Sequence, residues 1–287
     1  MIPAQNSTRY QWRLWKHRAG MAMSVLAMSA GIAFLVWIGA TLCVRGIVAL
    51  NWALFSQITP APGSEGGGLL NAICGSVMMV LVSTAIVTPV GILAGVFLSE
   101  YAETSRLASV TRFVVDMMLS APSIVTGLFV YAIYVAHVQH FSGWAGSLAL
   151  SLIALPVVVR TTDHFLALVP VSLREAAYAL GAPRWRVALL VRLRAVRAGV
   201  LTGLMLAVAR ISGETAPLLF TALSNAFFSL NMNKPMSNLP VVIYQFAMSP
   251  YENWQTLAWG GAFLIVVGVL VLNVLSGALF SESEKNR

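Results

Sequence analysis

Two oppositely charged residues, Arg210 and Glu214, lie inside the apolar stretch 198–223. On an α-helix, residues four positions apart share a face and lie one turn apart, so this spacing predicts an ion pair. Arg210 is about twelve residues into the stretch, which at 1.5 Å per residue is near the midplane of a bilayer. An unpartnered charge at that depth costs about 2.5–3.5 kcal/mol on translocon-derived scales, so such residues face a partner or a water-filled path.

This charged pair admits two interpretations, a neutral structural pair or a site that handles anions. A guanidinium offers a planar fork of donors that matches the oxygens of phosphate, and a neighbouring carboxylate would hold it while the path is empty. Thr215 follows the pair directly and is a further candidate path residue. Pro217 cannot donate a backbone hydrogen bond, so the sequence also predicts a kink or an unwound segment that exposes backbone groups to the path.

A second arginine, Arg160, lies in the inner third of the apolar stretch 144–169. Asp163 and His164 follow it by about one turn and are candidates for local partners. Either Arg160 contributes positive charge to the same path, or its long side chain extends to the cytoplasmic interface.

Three further acids lie near the cytoplasmic ends of the apolar stretches. Asp116 falls near the inner end of 113–136 and is predicted to be an interfacial or helix-pairing acid. Glu100 and Glu103 belong to the short connection before that stretch, where they are predicted to form a solvated or partner-facing edge. None of the three is assigned to the path.

The residue types that enzymes and metal sites need are not arranged for either role. The three lysines, Lys16, Lys234 and Lys285, lack the glycine that precedes the lysine of a phosphate-binding loop, so the chain is not expected to bind ATP in the usual way. The four histidines and two cysteines are scattered and predict no metal site. No serine lies in a nucleophile elbow, and no carboxylates are paired for acid–base catalysis. We therefore expect neither an enzyme nor a cofactor bound by this chain.

Helices that cross a membrane must position these residues. The chain has 58% hydrophobic residues, 10% charged residues and a mean hydropathy of +0.80, far more apolar than a soluble globular domain. A hydrocarbon core of roughly 30 Å needs about 20 apolar residues per helix. Runs of that length predict an all-α integral membrane protein with about six transmembrane helices, at 21–44, 71–98, 113–136, 144–169, 198–223 and 256–280.

One domain accounts for the whole chain. Residues 1–20 are predicted to be a cytoplasmic N-terminal segment, 21–280 the transmembrane domain and 281–287 a cytoplasmic tail. The first run follows a charged segment and lacks a small-residue cleavage site, which predicts a retained helix rather than a signal peptide. Cys43 and Cys74 fall near the outer ends of the first two runs, where they either form a bridge or pack as small apolar side chains.

The basic residues predict the orientation of the chain. Fifteen of the eighteen lysines and arginines fall on one side of the membrane, whereas Arg45 and Lys234 fall on the other and Arg210 lies within it. By the positive-inside rule the basic side faces the cytoplasm, which places both termini there. The net charge of +8 therefore reflects membrane topology, and no nucleic-acid partner is expected.

The longest cytoplasmic segment, about 170–197, is predicted to form two short helices joined by a turn. Pro170 and Ser172 give a start signal, Gly181 a stop and Pro183 a second start. Small alanines in the first helix would let another backbone approach closely, and the second helix is rich in arginine. The segment therefore either lies against anionic lipid headgroups or docks a cytoplasmic partner.

A motif in this segment resembles the EAA loop of bacterial ABC-transporter permeases: Glu175-Ala176-Ala177, then Gly181, Val191 and Leu193. Arg194 stands where the general consensus of that loop has proline. The run ARISGETAPLLFTA at 209–222 is similar to the permeases of the phosphate-specific branch of this family. Further similarity to that branch lies at 155–162, 172–181, 238–240 and 246–250, so the resemblance covers roughly residues 70 to 280.

The resemblance implies a MetI-like ABC importer permease fold in the bacterial inner membrane. The chain would pair with a second, related permease, and a periplasmic phosphate-binding protein would deliver inorganic phosphate. ATP and Mg would be bound by a dimer of ATP-binding subunits, to which the hairpin would couple through Glu175, Ala176, Ala177 and Gly181. The phosphate path would include Arg210, Glu214, Arg160 and Thr215.

Two other functions remain open. A permease for another oxyanion, such as sulfate or molybdate, could use the same arginine, although the Gly-Glu-Thr-Ala-Pro run at 213–217 argues against it. An ATP-independent anion carrier or channel is the more distant alternative. For such a protein, inverted repeats would be expected and a cytoplasmic docking hairpin would not. A membrane scaffold without transport activity would leave Arg210 and Glu214 unexplained.

Overall fold

The computed structural model describes residues 7–101 and 105–285, and within these ranges the chain is helical, with no β-strand. Glu103, which the sequence places on a solvated edge, lies outside the described residues. Two π-helical turns, Tyr131–Val135 and Val187–Arg192, continue the helices before them. In chain order the α-helices are α1 (Ser7–Ala49), α2 (Trp52–Ser56), α3 (Leu70–Tyr101), α4 (Arg106–Ser120), α5 (Ser123–Val130), α6 (Ala136–Val138), α7 (Gly143–Ala167), α8 (Val171–Ala179), α9 (Arg184–Arg186), α10 (Leu193–Ala195), α11 (Arg197–Ser212), α12 (Ala216–Leu219), α13 (Leu239–Ala247) and α14 (Glu252–Lys285).

Four helices, α1, α3, α7 and α14, are long and apolar enough to cross a membrane. The shortest, α7, has 25 residues and is about 38 Å long at 1.5 Å per residue, which exceeds a hydrocarbon core. Two pairs of shorter helices pass the same test together and bring the number of spans to as many as six. The predicted fold class, an all-α membrane protein with about six spans, is confirmed.

The third predicted helix, 113–136, is not continuous. α4 ends at Ser120 and α5 begins at Ser123, and the axes of the two parts of this span differ by 107°. The ring of Pro122 disfavours helical geometry at the residue before it, and Ala121 has an extended ψ of 133°. The prediction of one helix through this run is therefore wrong.

The fifth predicted helix, 198–223, is also interrupted. The chain bends by 74° as it enters α11, and α11 ends at Ser212. A short non-helical segment, 213–215, separates it from α12, which has Pro217 as its second residue. A proline ring clashes with the carbonyl four residues earlier in a continuous helix, and that carbonyl belongs to Gly213. The predicted kink is present, and it breaks the helix at this point.

α7 is central to the bundle and is held closely by α3 and α11. A Cβ added at Gly95 of α3 would lie 2.6 Å from Thr162 Cβ, and one added at Gly203 of α11 would lie 2.4 Å from Thr161 Oγ1. Glycine at these contacts lets the helix backbones approach closely, as is common between membrane helices. The core around α7 includes Met79, Leu150, Ile153, Val158, Ile211 and Leu218.

The end of the bundle opposite the segment that contains α8, α9 and α10 is held by a buried amide, Asn71. Its amide group donates to Thr59 Oγ1 at 3.0 Å and to the carbonyl of Asn225 at 2.9 Å. Asn71 therefore ties the loop between α2 and α3, and the loop between α12 and α13, to the start of α3. The predicted loop between the last two spans contains a helix, α13, which packs against α14. Asn238 caps α13 by accepting from the N–H of Val241 at 3.0 Å.

α1 packs along α14 and leaves most of its apolar surface exposed. The closest approach is at Gly46, where an added Cβ would lie 2.6 Å from Phe263 Cβ. An exposed apolar helix of this length must face lipid or another membrane subunit. Cys43 of α1 and Cys74 of α3 are both free thiols.

Candidate translocation path and coupling site

Arg210 lies in the last turn of α11, and the chain leaves the helix between this residue and Glu214. The hydroxyl of Ser212 donates to the carbonyl of Val208 at 2.7 Å, and the N–H of Glu214 donates to the carbonyl of Ile211 at 3.3 Å. The helical geometry on which the predicted ion pair depended is therefore missing. Neither residue takes part in any ion pair with another described residue, so the prediction of this pair is wrong.

The helix end partly replaces the carboxylate that was expected to hold the arginine. The Arg210 side chain is exposed, whereas Glu214 and Thr215 are partly buried at the break. The carbonyl end of a helix carries a partial negative charge, which favours a cation in its last turn by about 0.3–1 kcal/mol at exposed positions. The Arg210 guanidinium is therefore exposed beside the negative end of the helix.

α12 presses the break against α5. A Cβ added at Gly127 of α5 would lie 2.5 Å from the Cα of Pro217. Because this contact involves the backbone of α12, no side-chain rotation can relieve it. The position of the break therefore depends on a glycine at a close helix contact.

Arg160 pairs with Asp116 of α4 rather than with its neighbours on α7. Its Nη2 lies 3.4 Å from Asp116 Oδ1, and both side chains are half-exposed. Asp163 instead accepts two hydrogen bonds from Arg112, from Nε and from Nη2, each at 3.3 Å. Neither local candidate, Asp163 or His164, is the ion-pair partner of Arg160, because α4 supplies charged groups across the helix contact. The prediction of Asp116 as a helix-pairing acid is confirmed.

The two candidate path arginines lie at different levels of the bundle. Arg160 is next to Thr161, the residue against which Gly203 of α11 packs. Arg210 is two turns beyond Gly203 on the same helix, about 10 Å along its axis. The two arginines are therefore offset from each other along the direction of α11.

These groups are suited to brief electrostatic contact with an oxyanion. Arginine donates several hydrogen bonds to phosphate oxygens, and Thr215 offers a hydroxyl beside the break. Within residues 7–101 and 105–285, no group of three or more His, Cys, Asp or Glu side chains is placed to hold a metal ion.

The segment 170–197 forms the two-helix hairpin that the sequence predicts. α8 ends in a turn where Gly181 has a φ of +77°, a conformation that is strained for residues with a side chain. The N–H of Ala182 donates to the carbonyl of Ala177 at 3.2 Å, and that of Gly181 donates to Tyr178 at 2.9 Å. These two bonds form the Schellman motif, which ends a helix and sets the direction of the chain after it.

The tip of the hairpin exposes apolar side chains together with the EAA residues. Glu175 and Ala176 are exposed and Ala177 is partly buried. Leu180 is 88% exposed and Trp185 is 55% exposed, which is unusual for large apolar side chains on a polar segment. This combination favours a docking surface for a protein over a basic hairpin that only touches lipid headgroups.

A buried cluster that the sequence analysis missed joins the hairpin to two membrane helices. Arg192 donates to the carboxylate of Glu100, to Ser99 Oγ at 3.1 Å and to the carbonyl of Leu166 at 2.7 Å. Only 6% of the Arg192 side chain and 9% of the Glu100 side chain are exposed. The prediction that Glu100 forms a solvated or partner-facing edge is therefore wrong.

Helical periodicity in the second half of the hairpin could have revealed this cluster. Arg192 shares a helix face with Ala188, Leu189 and Val196, which lie at i−4, i−3 and i+4. An arginine on an apolar face is buried with a partner or extends out of it. Arg194, two residues further on, lies on another face and is exposed.

Comparison with solved structures identifies the fold. The chain matches a chain of the MetNI methionine ABC transporter in two inward-facing crystal forms, with TM-scores of 0.64 and 0.61. Each match covers 75% of this chain and 95% of the other at 18% sequence identity. The likeness concerns the fold alone and confirms the predicted MetI-like permease fold.

Sequence comparison then gives the family. The model of the family described as "Binding-protein-dependent transport system inner membrane component" matches residues 87–282. The chain is 56% identical over 280 residues to the phosphate transport system permease protein PstA of Pasteurella multocida (strain Pm70), with 98% of this chain and 100% of the relative covered. It is 54% identical to PstA of Haemophilus influenzae, with 99% of this chain and 100% of the relative covered. Against PstA 1 of Mycobacterium tuberculosis (strain ATCC 25618 / H37Rv) the identity is 34%, with 88% and 83% covered.

The chain therefore belongs to the family of binding-protein-dependent transport system inner membrane components, and within it to the PstA group. It is a multi-pass transport permease and not an enzyme. Permeases of this class work together with other permease and ATPase components.

Proposed function

We propose that this chain is a membrane permease subunit of an ATP-driven phosphate importer. It forms the translocation path for inorganic phosphate together with a second permease. The observation that supports this most strongly is the 56% identity, over 98% of the chain, to a protein described as a phosphate transport system permease. The fold supports it further, because two exposed or half-exposed arginines and a helix break lie in a bundle that carries a docking hairpin.

The proposed partners follow from this function. A PstC-like permease covers the remaining wall of the path, and a PstS-like binding protein delivers phosphate from the periplasm. A PstB-like dimer docks on the hairpin through the surface around Glu175, Ala176, Ala177 and Gly181, and it binds and hydrolyses ATP with Mg. The exposed face of α1 is available for membrane lipid or the second permease.

The proposed orientation places both termini in the cytoplasm of a bacterium, with the permease in the inner membrane. Fifteen of the eighteen basic residues then lie on the cytoplasmic side. The division into 1–20, 21–280 and 281–287 as N-terminal segment, transmembrane permease domain and tail belongs to the same proposal. In this orientation the hairpin around α8 and the buried Arg192 cluster are both cytoplasmic.

In the proposed path, phosphate is held weakly and passed on. Arg210 supplies an exposed guanidinium at the helix break, and Thr215 supplies a hydroxyl there. Glu214, at the same break, limits the positive potential, so that a divalent anion is not retained. Arg160 offers a second guanidinium about 10 Å further toward the cytoplasm, and Asp116 holds it when no anion is present. Tight binding in the path would slow release, so selectivity belongs in the external binding protein.

The test is ATP-dependent uptake of labelled phosphate by proteoliposomes that contain the complete complex. We expect wild type to take up phosphate only with ATP, and to resist competition from sulfate and molybdate. Arg210→Gln should assemble and hydrolyse ATP but move about tenfold less phosphate, since each lost charged hydrogen bond is worth about 1.5–3 kcal/mol. Arg197→Gln is the matched control, because Arg197 is an exposed arginine at the other end of the same helix.

Each alternative predicts a different result in this assay. Uptake without ATP would identify a carrier or channel, and equal uptake of sulfate or molybdate would identify a permease for another oxyanion. Normal transport by Arg210→Gln would show that Arg210 is structural. Glu175→Lys tests the docking surface, and we expect it to separate ATP hydrolysis from transport without loss of the membrane subunits.

A further inference from the structure

Three helices that are separate in the chain meet at one buried arginine. Arg192 lies in the second half of the hairpin, at the end of the π-helical turn Val187–Arg192. Its guanidinium reaches Ser99 and Glu100 in the last turn of α3 and the carbonyl of Leu166 in the last turn of α7. α3 has no direct chain connection to the hairpin, so this contact is a tertiary tie between them.

The tie is built for fixed geometry. A planar guanidinium that donates to a carboxylate, a hydroxyl and a carbonyl has little freedom to rotate, unlike the single ammonium of a lysine. Only 6% of the Arg192 side chain and 9% of the Glu100 side chain are exposed, and Leu166 and Ala188 belong to a buried apolar cluster on the same elements. π-Helical turns are uncommon and occur frequently at functional sites. Here such a turn ends on the arginine itself.

Stability alone does not account for a buried ion pair of this kind. Removal of two charges from water offsets most of their attraction, and well-packed apolar side chains often serve a fold equally well. Removal of one partner, in contrast, leaves an uncompensated buried charge. A double substitution that removes both charges can therefore separate the contribution of the pair to folding from its contribution to movement.

We propose that Arg192 and Glu100 form a positioning device that makes the hairpin and the inner ends of α3 and α7 move as one body. The inference rests on the proposed function, because an ATP-binding partner must displace the hairpin. A displacement of the hairpin then reaches α3 directly through the Arg192–Glu100 pair and not only through the chain at α7. Neither residue touches the transported anion.

The first test measures movement and needs no phosphate. In the complete complex, Cys43 and Cys74 are replaced by serine, and nitroxide labels are placed on cysteines introduced at Leu93 of α3 and Leu190 of the hairpin, both of which are exposed. In wild type we expect the distance between the labels to be the same with and without ATP. In Arg192→Met and in Arg192→Met/Glu100→Gln we expect ATP to shift or broaden it, because the hairpin then moves without α3.

The second test measures coupling and controls for folding. Arg192→Met alone should lower the thermal unfolding midpoint of the complex, and the double variant should recover most of it. We expect the double variant still to move at least about tenfold less phosphate per ATP than wild type, within the usual range of coupling between sites. Arg194→Met removes an exposed arginine two residues away and should match wild type in both tests.

Two results would overturn the inference. One is a double variant whose label distance stays fixed when ATP is added; the other is a stable double variant that moves phosphate with the wild-type ratio to ATP. Failure of the proposed function would look different. If the transported anion is not phosphate, wild type takes up no phosphate but still hydrolyses ATP, and ATP still shifts the label distance in the variants; if no ATP-driven partner exists, wild type hydrolyses no ATP.

Discussion

The contact between Gly127 and Pro217 allows a test of how precisely the helix break must be placed. A Cβ at Gly127 would lie 2.5 Å from Pro217 Cα, whereas ordinary contact begins at 3.4 Å, so Gly127→Ala must push α12 away by about 0.9 Å. The contact involves backbone atoms, and overpacking of this kind costs about 1–3 kcal/mol. Arg210 and Thr215 flank the same break, so the shift changes their relative position.

We expect Gly127→Ala to reduce ATP-driven phosphate uptake by about tenfold, since misplacement of a functional group by about 1 Å has effects of this order or larger. Uptake is measured per assembled complex in proteoliposomes, and the unfolding midpoint of the purified complex is recorded in parallel. Gly268→Ala is the matched control, because nothing lies within 4 Å of a Cβ at that helical glycine. Alanine favours a helix over glycine by about 1 kcal/mol, so the control should be at least as stable as wild type.

The reasoning would be refuted by a Gly127→Ala complex with wild-type uptake and wild-type stability. Such a result would mean that α5 and α12 do not approach this closely in the working transporter. A complex that loses stability but keeps full uptake would separate the packing of α12 from the path, and it would remove Thr215 from the list of path residues.

Two further substitutions test the hairpin turn and the polar network at the opposite end. Gly181→Ala places a side chain at φ +77° with nothing within 4 Å, so backbone strain of about 1–2 kcal/mol alone opposes it; we expect lower uptake per ATP with the membrane subunits still assembled. Asn71→Leu removes a buried amide that bonds to Thr59 and Asn225, and we expect the free energy of unfolding to fall by about 2–4 kcal/mol in thermal unfolding. Asn253→Ala, whose bonds to loop carbonyls are exposed, is the control, and an equal fall for both would contradict the assignment.

Membrane helices without internal breaks could be read from the sequence because one physical quantity determines them. Crossing a hydrocarbon core requires about 20 apolar residues, and α3 and α14 satisfy this with uninterrupted runs. Pro89 lies inside α3 and Pro156 inside α7, and both helices nevertheless continue. Neighbouring helices can satisfy the backbone groups that such a proline frees. The presence of proline therefore could not by itself locate the breaks.

The positions of the helix breaks could not be predicted without tertiary information. Pro122 ends α4 with a bend of 107°, whereas Pro156 leaves α7 intact, although both lie within apolar runs. α7 is buried among other helices and α4 lies at the edge of the bundle, and neither placement can be read from the residues around the proline. The predicted Arg210–Glu214 ion pair is wrong because i,i+4 spacing brings two side chains together only in a continuous helix. α11 ends at Ser212, before Glu214.

Partners of charged residues were predicted least well. The spacing of residues along one helix indicates only local partners, whereas each ion pair between described residues joins two different elements. Arg160 has two candidate partners within one helical turn. Its ion pair is instead with Asp116 of α4, and Asp163 forms an ion pair with Arg112. Glu100 looked solvated because it sits near a short connection, and its partner lies 92 positions further along the chain. The one signal in the sequence for this buried ion pair is that Arg192 lies on an otherwise apolar helix face.

The inner end of α3 links the proposed path to the proposed coupling device. Arg112 donates to the carbonyl of Leu98 at 3.2 Å and binds Asp163, and Arg192 binds the next two residues of α3. A movement of the hairpin that reaches α3 through Arg192 therefore acts at once on Arg112, and through α4 on the Asp116–Arg160 pair. In the proposed path, Arg160 is therefore the arginine that this chain of contacts connects to the hairpin. Arg210 lies about 10 Å further along the direction of α11. A coupling defect should change release of phosphate toward the cytoplasm before it changes entry at Arg210.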